Sequence, residues 1–187
     1  MELTGGEALV QQLGARCVVT GPDVHFGHRG AGDLALLADV MASTGGQVET
    51  CAGVLVDGAP VSSSRIRAAV QAGDLPLARA LLGRPFCLQG VVVHGDARGR
   101  TLGFPTANLQ LHDEQLVPGN GIYAVWVRIA DEATWRMGAM SIGVRPTFGG
   151  ALRTIEVFLL DFSGDLYGKS LTIAFADWLR GEEKFAG

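Results

Sequence analysis

The sequence predicts an α/β segment followed by an all-β, six-stranded antiparallel barrel, and three observations carry that expectation. Up to about Arg84, strand-like and helix-like segments alternate, the pattern of a parallel sheet flanked by helices. From Phe86 onward, strand-like runs follow one another across glycine-rich turns, with no helix of ordinary length between them. The connections are short, and closing into a small barrel removes the exposed edges that such strands would otherwise carry. The boundary falls near Gly83 to Phe86, which divides the chain into regions 1–84 and 85–187.

In chain order, "RCVVTG" reads as a strand, "GDLALLADVMAS" as a helix and "VETCAGVLV" as a second strand. "SSSRIRAAVQAG" and "DLPLARALLG" read as two short helices, with Ser62 to Ser64 and Asp74 as candidate N-caps and Gly73 and Gly83 as stops. Two strands are too few for an independent doubly wound domain, so this segment either leans on the barrel or lacks its beginning. The six barrel strands are "CLQGVVVHG", "FPTANLQL", "GIYAVWVRI", "WRMGAMSIG", "TIEVFLLDF" and "KSLTIAFADWL", separated by turn signals such as "VPGNG" and "PTFGG".

An apolar share of 48% over 187 residues is ample for packed cores, and nothing points to disorder. A net charge of −4 with no basic stripe argues against a nucleic-acid partner. No apolar run approaches the roughly 20 residues of a membrane helix, and the opening lacks the basic start and apolar core of a secretory signal. The expectation is a cytoplasmic protein with no membrane partner. Cys17, Cys51 and Cys87 lie far apart without a CxxC pair, and they read as buried structural thiols.

Candidate chemistry gathers around "HGDARGRTLGFPTANL". Gly95, Gly99 and Gly103 would let the backbone turn tightly and bring N–H groups to an anion, although glycine-rich hairpins are also plain turns. Pro105 holds Phe104 extended, and period-two alternation then turns Thr106 and Asn108 to one face. A hydroxyl and an amide oxygen are hard ligands suited to Mg²⁺, or else polar residues on a solvated edge. Glu156 lies among apolar neighbours on the face of Thr154 and Phe158, as a base for a substrate hydroxyl or as an outward-facing strand glutamate. In "SSSRIR", helix N–H groups and arginines make either a phosphate site or a simple cap. "HFGH", His25 to His28, satisfies the letters of the HxGH motif of nucleotidyltransferases, but too little sheet surrounds it.

Taken together, "VVHGDARGRTLGFPTANL", "PGNGIYAVWV", "SIGVRPTFGG", "IEVFLLDF", "DLYGK" and "WLRGEEKF" resemble the kinase half of the prokaryotic bifunctional riboflavin kinase/FMN adenylyltransferases, also called FAD synthetases. "VVTGPDVHFGHRGAGD" and "VSSSRIRAAVQAGDLPLARALLGRPF" resemble the later part of their adenylyltransferase domain. The resemblance implies a partial Rossmann-like nucleotidyltransferase segment, then a riboflavin kinase-like barrel, with the chain short at both ends and without the C-terminal helix. It implies phosphorylation of riboflavin to FMN with ATP as co-substrate and Mg²⁺. It places Mg²⁺ and the ATP phosphates on Thr106 and Asn108, the nucleotide loop on Gly95, Gly99 and Gly103, the catalytic base on Glu156, and Arg180 near the flavin or phosphates. Ser63, Ser64 and Arg67 inherit the phosphate motif of FMN adenylylation, while His25 and His28 align outside the true HxGH motif. FAD formation is expected to be lost because that motif lies upstream in the family. A non-catalytic flavin- or nucleotide-binding remnant is the alternative.

Overall fold

Alternation of large apolar and polar residues along six consecutive segments produces six strands whose inner faces fill one core. In the computed structural model, which describes residues 12–94, 106–130, 132–147 and 150–181, these segments form a closed barrel. The strands are β5 (Cys87–Val93), β6 (Ala107–Leu111), β7 (Gly121–Ile129), β8 (Trp135–Thr147), β9 (Gly150–Leu159) and β10 (Ser170–Arg180). Their order around the barrel is β10-β5-β6-β9-β8-β7, with antiparallel neighbours throughout. Leu88, Val125, Met140, Val157 and Ile173 point inward and are buried. The expected six-stranded barrel is thus present. Gly95, Gly99 and Gly103 lie outside the described residues.

The chain divides into two compact units, one running to Val61 and the other from Ser62. In the first, β1 (Cys17–Thr20) pairs in parallel with β2 (Gln47–Thr50), and α1 (Leu34–Ser43) lies between them in sequence. Asp33 caps α1 by accepting from the Leu36 N–H at 2.9 Å. The run read as one strand, "VETCAGVLV", is broken. After β2, Leu55–Val56 form β3 and turn back through Asp57 and Gly58, both at positive φ, to pair with β4 (Ala59–Pro60). An Asp-Gly pair of this kind folds a two-residue hairpin, so the second part of the run pairs locally. The expectation for the cysteines fails twice here. Cys17 begins β1, Cys51 follows β2, and both thiols are exposed, whereas Cys87 is half-buried. "HFGH" forms a tight turn in which Phe26 bridges Gly32. Among the described residues no group of three or more His, Cys, Asp or Glu is placed to hold a metal.

In the second unit, α2 (Ser63–Ala72) and α3 (Leu75–Leu82) precede the barrel. Ser62 caps α2 by accepting from Arg65 N–H at 3.2 Å, and Asp74 caps α3 by accepting from Leu77 N–H at 3.0 Å. Gly73 ends α2 in the left-handed region at φ 74°, which a side chain would strain. The helix end is packed against the barrel: a Cβ on Gly73 would sit 3.4 Å from the Tyr123 hydroxyl, and one on Gly119 would sit 2.7 Å from the Gln71 carbonyl oxygen. Leu75 of α3 joins the barrel's apolar core. No helix among the described residues is long and apolar enough to cross a membrane.

Among the described residues, Tyr123 is the largest fully buried side chain. Its ring meets Phe175 edge-on with centroids 5.2 Å apart, and its hydroxyl donates to the Gly119 carbonyl. Burial raises its phenol above the usual 10.0, against a smaller lowering by Arg153. The folded state therefore keeps this proton at a pH where the unfolded chain releases it, so the associated stability is intact below about pH 10 and is lost as pH rises through the folded-state value. Tyr123→Phe is expected to lower stability at neutral pH by about 1 kcal/mol and to lessen the alkaline loss. Urea midpoints compared at neutral pH and above pH 10 check both effects.

Candidate functional site on the outer barrel face

Strand alternation separates packing from chemistry. On β9, Ile155, Val157 and Leu159 are buried in the barrel, while Thr154, Glu156 and Phe158 face outward and are half-buried. On β6, Leu109 is buried and Asn108 faces outward. Thr106 immediately precedes β6 and shares the outer face of Asn108, as alternation predicts. Asn108 pairs with Glu156 across the β6–β9 ladder, and Ser141 pairs with Glu156 across β8–β9. One outer row therefore runs Val93, Asn108, Glu156, Ser141 across four adjacent strands.

Glu156 is the centre of this row. The Thr106 hydroxyl donates to Glu156 Oε2 at 3.0 Å, and Arg145 Nη2 approaches Oε1 at 3.9 Å. The carboxylate side chain is 30% exposed, so it is neither buried without a partner nor freely solvated. The cost of burying a charge is thus met by a hydroxyl on one oxygen and a guanidinium near the other.

A groove of about 650 Å³ adjoins this row, lined among others by Val93, His94, Asn108, His112, Arg145 and Arg153. One wall is held by Gln115. Its side-chain oxygen accepts from Gln89 N–H at 3.1 Å and its amide donates to the Gln89 carbonyl at 2.7 Å, replacing a ladder partner just beyond the last β5–β6 pair at Gly90. At the other end the His94 ring stacks on Tyr167, centroids 3.8 Å apart. The arrangement offers hydroxyl, amide and carboxylate oxygens beside two cations, which suits a phosphorylated ligand together with a group able to take a proton.

Of the residues singled out in the sequence, Thr106, Asn108 and Glu156 come together on one face. Arg180 lies further round: Ser141 pairs with Ile122 and Ile122 with Arg180, so it stands three strands away from Glu156 around the closed barrel. Ser63, Ser64 and Arg67 stand on α2, and Ser62 is the residue that caps that helix. Arg145 and the His94–Tyr167 stack went unnoticed in the sequence. Arg145 was accessible in principle, because in "SIGVR" it shares a period-two face with Ser141. The stack joins residues distant in sequence and leaves no local pattern.

The family model described as riboflavin kinase matches residues 82–187, and the model described as FAD synthetase matches residues 6–65. A bifunctional riboflavin kinase/FMN adenylyltransferase of Pseudomonas fluorescens is 45% identical over 179 residues, covering 95% of this chain and 57% of that protein. Its counterpart in Haemophilus influenzae is 38% identical over 179 residues, covering 96% of this chain and 58% of that protein. A crystal structure from Streptococcus pneumoniae, described as a macrolide-efflux protein, superposes with a TM-score of 0.83 at 34% identity, covering all of this chain and 60% of that one. The chain spans a little over half the length of these curated relatives. With its barrel and more than half its residues matched by that model, the chain belongs to the riboflavin kinase family.

Proposed function

We propose that the chain transfers the γ-phosphoryl group of ATP to the 5′-hydroxyl of riboflavin, forming FMN and ADP, on the outer face that carries Thr106, Asn108 and Glu156. The observation that carries this reading is the hydrogen bond from Thr106 to Glu156, with Asn108 in register beside them. Glu156 takes the proton of the attacking hydroxyl. The new bond forms between that oxygen and the γ-phosphorus, while the bond from phosphorus to the bridging oxygen breaks and ADP leaves. Much of the acceleration in such transfers comes from positioning and from neutralising charge on the phosphoryl oxygens.

Thr106 and Asn108 fit Mg²⁺ as far as their chemistry goes. The Thr106 hydroxyl donates its proton to Glu156, which leaves its oxygen lone pairs available, and magnesium takes few protein ligands alongside water and phosphate oxygens. When bound, the ion would draw charge from the phosphates. The nucleotide loop is assigned to Gly95, Gly99 and Gly103, and Arg180 to a more distant part of the flavin or phosphate site. The kinase region is taken as 85–187 and the preceding region as 1–84. The enzyme is assigned to the cytoplasm, with riboflavin, FMN and ATP as its partners.

The match of residues 6–65 to FAD synthetase, which takes in Ser63 and Ser64, supports a second reading for the first region, adenylylation of FMN; Arg67, just beyond it, is assigned to the phosphates with them. One assay separates the possibilities: riboflavin, ATP and Mg²⁺ are incubated with the full chain, and FMN and FAD are both quantified by chromatography. FMN is the expected product. FAD in addition would support the second reading, and flavin binding without any FMN would replace the kinase by a binding role.

A further inference from the structure

The position of Arg145 joins two features that no role yet links. Its Nη2 stands 3.9 Å from Glu156 Oε1, and its side chain also lines the groove beside Asn108 and Arg153. We propose that Arg145 is a positioning residue that pairs with Glu156 in the absence of nucleotide and turns to the polyphosphate when it binds, so that the base is released only when the phosphoryl donor is in place. This rests on the kinase reading above and concerns the order of events in the same site.

Three observations support it. First, 3.9 Å is beyond hydrogen-bond length, and the two side chains are 39% and 30% exposed. A long, partly solvated ion pair of this kind contributes little to stability and is readily exchanged. Second, the other carboxylate oxygen is already engaged by Thr106 at 3.0 Å. With Oε2 taken by Thr106 and Oε1 facing a cation, Glu156 is oriented but its proton-accepting oxygen is screened. Third, a polyphosphate offers two oxygens to the guanidinium fork in parallel, a stronger match than the 3.9 Å approach to Glu156. Movement of Arg145 toward the groove then frees Oε1 toward the substrate hydroxyl without disturbing the Thr106 hydrogen bond.

The strand framework makes this exchange local. Arg145 lies on β8 opposite Leu152 of β9, and Ser141 rather than Arg145 is the register partner of Glu156. The guanidinium therefore reaches Glu156 diagonally along the face, and the rotation of one long side chain is enough to leave it. No strand needs to shift.

The test compares the unmodified chain with Arg145→Gln and Arg145→Lys, measuring FMN formation over a range of ATP and of riboflavin, and measuring ATP·Mg²⁺ binding by calorimetry. For Arg145→Gln the expected result is a KM and a Kd for ATP raised about tenfold or more, with the KM for riboflavin changed less than about twofold. Arg145→Lys, which keeps the charge but loses the fork, is expected to recover only part of that loss. An unchanged ATP affinity in a folded Arg145→Gln chain would overturn the proposal, as would full recovery in Arg145→Lys, since that would report charge alone and not the fork. Absence of FMN from the unmodified chain would defeat the kinase reading alone. The calorimetric comparison would still decide whether Arg145 holds the nucleotide.

Discussion

Glu156→Gln is expected to lower kcat for FMN formation by about 10²–10⁴-fold while leaving the barrel intact. The amide has nearly the same shape as the carboxylate, and its oxygen still accepts from the Thr106 hydroxyl, so the local hydrogen bond survives. What is lost is the ability to take a proton from the attacking hydroxyl, together with the negative charge facing Arg145. Since Glu156 points outward and the core residues Ile155 and Val157 on either side are untouched, the melting temperature should move little. Steady-state kinetics on a chain shown to be folded provide the check. A kcat within about threefold of the unmodified chain, well short of an ordinary general-base contribution, would remove Glu156 from the role of base.

Tyr123→Ala is expected to cost about 3–5 kcal/mol, the range for deleting a large buried aromatic side chain. The ring fills the barrel against Phe175, and its hydroxyl lies at the end of α2 beside Gly73. Truncation would therefore open a cavity and also leave the Gly119 carbonyl without the Tyr123 donor. Chemical denaturation should show the midpoint falling far more than in Tyr123→Phe, which keeps the ring and loses only the hydroxyl. Equal effects of the two substitutions would mean that the hydrogen bond, and not the volume, fixes this part of the core.

Much of this architecture was legible in local patterns. Gly73 and Gly83 stop their helices in the left-handed region, Asp74 caps α3, and the six barrel runs appear as six strands. These are short-range signals, set by backbone freedom, capping and period-two alternation, and they need no knowledge of distant partners. The same alternation placed Thr106 with Asn108 and Glu156 with Thr154. It could not show that the two pairs meet, because that depends on β6 lying beside β9, a neighbour relation across some 50 residues. The hairpin at Asp57 and Gly58 was written in the sequence as an Asp-Gly pair but was masked by apolar residues before it. The cysteines misled for another reason. Their small apolar side chains suit burial, yet Cys17 and Cys51 stand where β1 begins and just after β2 ends, and both are exposed.

The outward placement of Glu156 also bears on how such a barrel tolerates change. Over residues 154–159 of β9 the inward Ile155, Val157 and Leu159 fill the barrel, while Thr154, Glu156 and Phe158 alternate with them on the outer face. Substitutions that keep the strand length can therefore change the outer face at little cost to the interior. Insertion or deletion of a single residue within β9 is another matter: it would swing Ile155 or Val157 into the row now held by Glu156 and drive the carboxylate toward the packed interior. Evolution of this surface is thus open to replacement of letters and closed to changes in their number.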